Sequence, residues 1–414
     1  MPPLKNDCFA LPPGVHWTPV DEALADLRAR LSCVVGTETI SVAEALGRIL
    51  ATDITAPRAH PPLPNTAVDG YGFLNGRGEG DHHIPLVAQH MPAGATPDTS
   101  VPAGTAIRIL TGAALPDGVD TVILQEDVEV KDGAIHFTGP IKQGSNTRKA
   151  GEDVKTGDAI ARTGRKLTPA DLALFSAVGV AEVAVRQRLR VGILSTGDEL
   201  KQPGEDAGPG QIYDANRPML HGLITQLGHA PIDLGHVPDD RDTLRTRFDD
   251  AALKTDVILT SGGASAGDAD HVSALLNEAG AMALWRIAIK PGRPLALGMW
   301  DATPVFGLPG NPVAAMVCTL VFGAPALATL AGAHWTDPQG FMVPAAFCKS
   351  KKAGRREFLR ARMRDGQVEV FASEGSGRIS GLSWAEGLVE LPDHAISITQ
   401  GDLVRFIPWA GFGT

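Results

Sequence analysis

The sequence predicts a multidomain protein of α/β plus β class: a central three-layer α/β domain with a parallel-rich sheet, a mostly β arm domain and a small C-terminal β domain. Three observations carry this reading. Between residues 190 and 279 apolar strands and helical segments alternate, which implies a parallel sheet covered on both faces. Residues 84–150 read instead as short strands joined by turns, and so does the chain from residue 335 onward. A length of 414 residues favours roughly two to four domains.

Taken in order, Leu24, Leu27 and Leu31 stand at helical spacing and predict a first helix within residues 20–33. Ser41 and Glu44 form a capping-box pattern and predict a second helix from residue 41. Four prolines within residues 57–64 exclude a helix there and mark a domain junction. The arm follows as TAIRIL, DTVILQ and the hairpin VEVKDGAIHF, turning at Asp132 and Gly133. Thr168 as N-cap and Pro169 at the first helical position start another helix. The central alternation then runs through strand RVGILS, a helix near 216–227, strand PIDLGHV, a helix over 241–254, a strand at 256–259 and a helix over 271–279. Residues 313–332 carry no charge and approach the length of a bilayer span, but their alanine content, Pro325 and the preceding turn GLPGNP predict a buried helix broken near that proline. GRREFLRARM, QVEVFA and DLVRFIP supply the C-terminal strands, with the basic run KKAGRREF read as the charged edge of an exposed strand.

Composition narrows the function classes. Lys and Arg number 37 against 47 Asp and Glu, a net charge of -10, so the surface as a whole does not attract nucleic acid or anionic membrane. An anionic substrate therefore needs local basic groups. The four cysteines, Cys8, Cys33, Cys318 and Cys348, form no CxxC pair and are read as inert thiols of a reducing compartment rather than a zinc site. The N-terminal stretch has no secretory signal pattern, and the expected location is cytoplasmic.

The candidate site centres on residues 256–270, DVILTSGGASAGDAD. A strand, the turn residues Ser261, Gly262 and Gly263, and a helix N-terminus together present free N–H groups and a positive dipole end suited to a phosphate. Asp268 and Asp270 would repel that phosphate unless a divalent cation such as Mg2+ lay between them. The loop STGDEL, with Ser195, Thr196, Gly197 and Glu199, repeats this hydroxyl, glycine and carboxylate chemistry. GQIYDANRP adds Asp214, Asn216 and Arg217, and IKPGRPLALG adds Lys290 and Arg293 on a proline-stiffened loop, which is what an anion needs in an acidic protein. Residues 263–267 also satisfy GxSxG, the nucleophile elbow of serine hydrolases, around Ser265. Three residues separate the strand from Ser265, however, and no downstream histidine stands in an evident triad motif. His82 and His83 are read as a surface pair rather than metal ligands.

In this order, PNTAVDGYGF, RILTGAALPDGVDTVILQED, NTRKAGEDVKTGD, STGDEL, GQIYDANRPML, SGGASAGDAD, IKPGRPLALG and GLPGNPVAA resemble the molybdopterin molybdenumtransferase family, which includes bacterial MoeA and the E domain of gephyrin. The resemblance runs from about residue 16 to the C-terminus. It implies an elongated subunit of a homodimer: a discontinuous linker domain at 16–55 with 153–187, the arm at 56–152, an α/β molybdopterin-binding domain at 188–334 and a C-terminal domain at 335–414. It also implies the reaction. Adenylylated molybdopterin and molybdate react with Mg2+, the pyrophosphate link is cleaved, molybdenum goes to the dithiolene and AMP leaves.

By resemblance, Asp69, Thr111, Asp153, Glu199, Asp239 and Asp270 are the catalytic polar positions, with Glu199 and Asp270 the metal ligands. Ser195, Thr196, Gly197, Asp214, Asn216, Ser261, Gly262, Gly263, Ser265, Lys290, Arg293, Pro309 and Pro312 would line the pterin, phosphate and molybdate side. Implied partners are the two substrates, a second subunit and, transiently, the adenylyltransferase and acceptor molybdoenzymes. The sequence departs from the family pattern at Val68, Gly72, Ala264, Ala266, Asp268 and Arg293; the forked Arg293 replaces a frequent lysine and bears on oxyanion preference. A non-catalytic pterin carrier or scaffold is the alternative, weakened by the full set of carboxylates. Adenylylation of molybdopterin, which uses an α/β domain alone, is disfavoured by the flanking domains.

Overall fold

The computed structural model describes residues 17–98, 100–262, 271–279, 283–292, 294–375 and 377–414. Gly263, Ser265, Asp268, Asp270 and Arg293, all singled out from the sequence, lie outside the described residues.

The first helix, Val20–Arg30, buries Val20, Ala23 and Leu27, and these join the core of the α/β domain. The second expected helix is absent. Ser41 instead ends the strand Thr37–Ser41, which pairs antiparallel with Glu182–Arg186, and only a 3-10 turn, Val42–Glu44, follows. The ladder takes the Val42 N–H to the Ala181 carbonyl, and the Ser41 hydroxyl bonds the Glu44 carboxylate at 2.8 Å rather than capping a helix. Long-range strand pairing has overridden the local capping signal. Val42, Leu50, Ala161, Phe175 and Val183 share one core, so two segments distant in sequence fold together. The helix Pro169–Ala177 does start where expected, with Thr168 and Asp171 bonding reciprocally as a capping box.

The arm is a six-stranded sheet that includes Gly70–Phe73, Arg77–Met91, Ala106–Ile109, Thr121–Leu124 and Ala134–Ile141. Asp132 and Gly133 both take positive φ, 51° and 75°, and close the predicted hairpin. The 15-residue strand Arg77–Met91 exceeds anything legible in its glycine-broken sequence.

The α/β domain supplies the frame of the site. Its strands are β1 (Arg190–Thr196), β2 (Ala230–Val237), β3 (Val257–Ser261), β4 (Ala283–Arg286), β6 (Pro294–Trp300) and β7 (Thr303–Leu308), in spatial order β2-β1-β3-β7-β6-β4. The short β5 (Ile289–Lys290) leaves this sheet. Strands β2, β1, β3 and β7 are parallel, and β6 and β4 close the edge antiparallel. Helix α1 (Asn216–Gln226) packs on one face through Leu220, Leu223 and Ile224. Helices α2 (Arg241–Ala252) and α3 (His271–Glu278) cover the other through Leu244, Phe248, Val272, Leu275 and Leu276.

The apolar segment forms one helical run, α4 (Pro312–Leu330), long and apolar enough to cross a membrane yet 83% buried within the fold. It does not break at Pro325. A π-helical turn, Thr319–Gly323, absorbs the proline just ahead of it, since Pro325 lacks the N–H that a regular α ladder would require there.

In the C-terminal domain, β8 (Arg356–Arg364) is an inner strand between β5 and Gly387–Leu391, not an exposed edge. Lys351 is 5% exposed, and Arg356 pairs with Asp21, Asp393 and Glu390. The basic run therefore ties the first helix to the C-terminal sheet. Pairing of Lys290 with Glu357 across β5 and β8 carries a strand of the IKPGRP loop into that sheet.

Candidate active site at the carboxyl edge of the central sheet

Chain order explains where a crevice opens. From β1 the chain crosses one face through α1 to β2, then returns over the other face through α2 to β3 on the far side of β1. Such a reversal leaves a gap at the carboxyl ends of the two strands. In register, Ser195 of β1 faces Ser261 of β3, and Ser261 faces Leu308 of β7. The chain after Thr196, Ser261 and Leu308 therefore leaves the sheet side by side.

These loops touch closely. Gly262 has φ +94°, and a Cβ there would stand 2.7 Å from the Thr196 carbonyl oxygen, so only glycine fits between them. Gly310 also packs on Gly262: a Cβ there would stand 3.6 Å from the Gly262 Cα. Asn216, at the start of α1, pins the arrangement: its Nδ2 donates to Ser261 Oγ at 2.5 Å and to the Gly310 carbonyl at 2.7 Å. At these strand ends the buried oxygens Ser195 Oγ, on the α1 face, and Thr196 Oγ1 and Thr260 Oγ1, on the opposite face, have no hydrogen-bond partner among the described residues, and neither has Asn216 Oδ1. Buried polar atoms are rarely left unpaired, and several of them at the carboxyl ends of adjacent strands suit a polar ligand bound at that edge.

Asp214 has a different job. It is 2% exposed, accepts the N–H groups of Asn216 and Arg217 at 3.1 Å, and pairs with the Arg217 guanidinium. Arg217 in turn reaches Asp233; burial opposes its charge, but the two carboxylates raise its pKa above the usual value. Asp214 thus holds the Asn216 turn in place, at the wall of a cleft it shares with Asp198, Lys201 and His236. Glu199 is exposed, and its carboxylate curls back over Gly197. Asp198 accepts the Asp239 N–H at 3.0 Å, which joins the loops after β1 and β2. Asp240 caps α2 through the Thr243 N–H at 2.8 Å, leaving the exposed Asp239 as the carboxylate not used by the helix. Among the described residues no group of three or more His, Cys, Asp or Glu is arranged to hold a metal. Mg2+ commonly takes only one or two carboxylates beside substrate phosphates, and the open Glu199 suits that mode.

Across the loop that follows β7, Asn311 caps α4 by accepting the Val313 and Ala314 N–H groups at 3.0 and 3.3 Å, with Pro312 at the first helical position. Gly292 packs on this turn: a Cβ there would meet Cys318 Sγ at 2.7 Å and Pro309 Cγ at 3.8 Å. The loop that carries Lys290 is thereby seated against Pro309. Lys290 faces a cleft of about 190 Å3 that it shares with Pro291, Cys348, Arg360 and Glu374. Lys349, Glu357, Arg360 and Glu374 were not legible as site residues, because only the β5–β8 pairing brings the C-terminal domain to Lys290.

The arm residues form their own groups. Asp69 Oδ1 accepts both the Thr111 N–H and the Thr111 hydroxyl at 2.6 Å, and these two bonds hold its pKa below the ordinary carboxylate value. Asp153 lies in a second arm-side cleft of about 430 Å3 with His60, Asn65, Arg148 and Glu152. The strand Asn65–Thr66 leads from that cleft toward Asp69. Among the described residues the bonds of Asp69 and Thr111 stay within the arm. An apolar cavity of about 310 Å3 lies elsewhere, lined by Ile49, Lys166, His229, Leu320, Pro325 and Phe412, and shares no residue with the site.

Comparison with known proteins covers this architecture end to end. Residues 18–179 match the MoeA N-terminal region (domain I and II), 192–329 a probable molybdopterin binding domain, and 343–409 the MoeA C-terminal region (domain IV). The molybdopterin molybdenumtransferase of Haemophilus influenzae is 36% identical over 397 residues, covering 94% of this chain and 98% of that protein. The chain belongs to the molybdopterin molybdenumtransferase family. Membership makes it an enzyme of molybdenum cofactor biosynthesis. Molybdopterin molybdenumtransferase 2 of Mycobacterium tuberculosis is 33% identical over 380 residues, covering 88% of this chain and 93% of the relative. The fold agrees as well: the molybdopterin biosynthesis moeA protein of Pyrococcus horikoshii OT3 superposes with a TM-score of 0.83 at 30% identity, over 95% of this chain and 100% of that one.

Proposed function

We propose that this molybdopterin molybdenumtransferase acts on adenylylated molybdopterin and molybdate, cleaves the pyrophosphate link and releases AMP. The observation that carries the reading is the set of buried, unpartnered oxygens Ser195 Oγ, Thr196 Oγ1 and Thr260 Oγ1 at the carboxyl ends of β1 and β3, at the sheet's switch point. Hydroxyls both donate and accept, which suits the mixed donor and acceptor edges of a pterin. Asn216 fixes the separation of the two loops that flank it, and Lys290 supplies the cationic side for an oxyanion. Glu199, with Asp270, would hold Mg2+ beside the phosphates, where the ion offsets the charge that builds on the leaving AMP phosphate. Asp239 borders the same edge, where its N–H is bonded to Asp198 and its carboxylate is exposed.

Asp69, Thr111 and Asp153 belong to the same reading as groups of the arm that close over a crevice from a second subunit, which makes the working form a homodimer. Asp69 is held ionised by Thr111 and accepts hydrogen bonds from substrate at neutral pH. A cytoplasmic setting, with transient handover to acceptor molybdoenzymes, completes the proposal.

The test is release of AMP by the purified protein from adenylylated molybdopterin with Mg2+, with and without molybdate and then with tungstate. Molybdate-dependent release is expected. Tight binding with no release would instead establish a carrier. Selective labelling of Ser265 by a fluorophosphonate would favour a serine hydrolase.

A further inference from the structure

The cleft that holds Lys290 is already filled with charge. Lys290 Nζ stands 2.7 Å from one Glu374 carboxylate oxygen, and the Lys349 ammonium contacts the other. Glu357 Oε2 lies below, 3.5 Å from Lys290 and 3.2 Å from Lys349, in ion-pair reach of both. The two carboxylates differ in exposure. Glu357 is 11% exposed on the inner strand β8, whereas Glu374 is 46% exposed at the mouth. Glu374 is also held from behind. Arg360, itself 5% exposed, donates to the Ser373 carbonyl at 2.6 Å and the Gly375 carbonyl at 3.2 Å, the residues on either side, and to the Arg378 carbonyl. Arg360 also stacks over the Phe371 ring at 4.9 Å.

The geometry points to Glu374 as a built-in competitor for the oxyanion: its carboxylate bridges Lys290 and Lys349 as a tetrahedral oxyanion would, and must swing toward solvent before that anion binds. This rests on the reading of Lys290 as anion holder. Charge balance supports it. With both glutamates in place the two lysines are neutralised, and displacing only the exposed one restores a single net positive charge over the Arg360 floor. Glu357 cannot serve as the gate, because it is buried and its strand position is fixed by pairing. Hydrogen bonds from both lysines keep Glu374 ionised against the cost of burial, so the competing charge is present at neutral pH. Glu374 is thus a specificity-determining group: it weakens capture of any anion that cannot replace both of its contacts.

The test is equilibrium binding of molybdate alone to the full chain, by calorimetry at low salt, for the unsubstituted protein, Glu374→Gln, Glu374→Asp and Lys290→Met. Glu374→Gln keeps the shape and removes the charge; it is expected to bind molybdate about tenfold more tightly, a gain of about 1.4 kcal/mol that shrinks at high salt. In the AMP-release assay the same variant lowers KM for molybdate, and Glu374→Asp restores the weaker binding. Equal or weaker binding by Glu374→Gln, with Lys290→Met abolishing it, overturns the gate and leaves the anion site standing. Unchanged binding in Lys290→Met overturns both.

Discussion

Gly262 sits where two loops leave no room for a side chain: a Cβ would stand 2.7 Å from the Thr196 carbonyl oxygen, at a φ that other residues rarely adopt. Gly262→Ala is expected to lose about 1–3 kcal/mol of stability from strain and collision, and to lose substrate binding more completely than that loss explains. Urea unfolding and pterin-substrate titration measure the two effects; a variant of normal stability and normal binding would contradict the packing described. At this scale the sequence was informative about residue types and less so about their roles. Asp214 and Asn216 stand two apart in one motif, yet Asp214 is buried in an ion pair while Asn216 joins two loops. Only the turn geometry shows these two arrangements.

His229, on the loop between α1 and β2, borders the apolar cavity beside Lys166. Burial, with the charges of Lys166 and Arg188 added, lowers its pKa from 6.5 to about 4. Above the ordinary value both folded and unfolded states are neutral at this residue and it contributes no pH dependence. As pH falls from 6.5 toward 4, the unfolded chain takes up a proton that the folded chain refuses, and stability falls; below about 4 the loss is complete. The shift corresponds to about 3 kcal/mol across that window. Replacing His229 with Gln is expected to flatten the pH dependence of the urea midpoint there, and an unchanged slope would contradict a buried neutral imidazole.

Element positions were largely legible for the α/β domain, because alternating strands and amphipathic helices follow local periodicity. The exceptions have local causes. Strand pairing overrode the capping box at Ser41, and a π-helical turn carried α4 past Pro325. Leu327 is fully buried in that helix, so Leu327→Ala is expected to cost about 2–5 kcal/mol in denaturant unfolding, as in a soluble core. A cost near zero would mean that this face is not packed.

For the whole molecule, the informative feature is a strand that changes sheets. Because β5 leaves the α/β sheet to pair with β8, Lys290 reports the relative position of the two domains. No sequence pattern announces a two-residue pairing across such a distance, which is why Lys349, Glu357 and Glu374 stayed invisible as site residues. Asp69 and Thr111, singled out by resemblance alone, form a hydrogen-bonded pair at 2.6 Å that no periodicity announces. The most direct measurement is single-turnover AMP release by Glu199→Gln beside the unsubstituted protein, with unfolding midpoints matched. Loss of charge at the open carboxylate of the crevice is expected to slow release by about 100-fold or more at equal stability. Release at the full rate from the folded variant would contradict placing the chemistry at the carboxyl edge of this sheet.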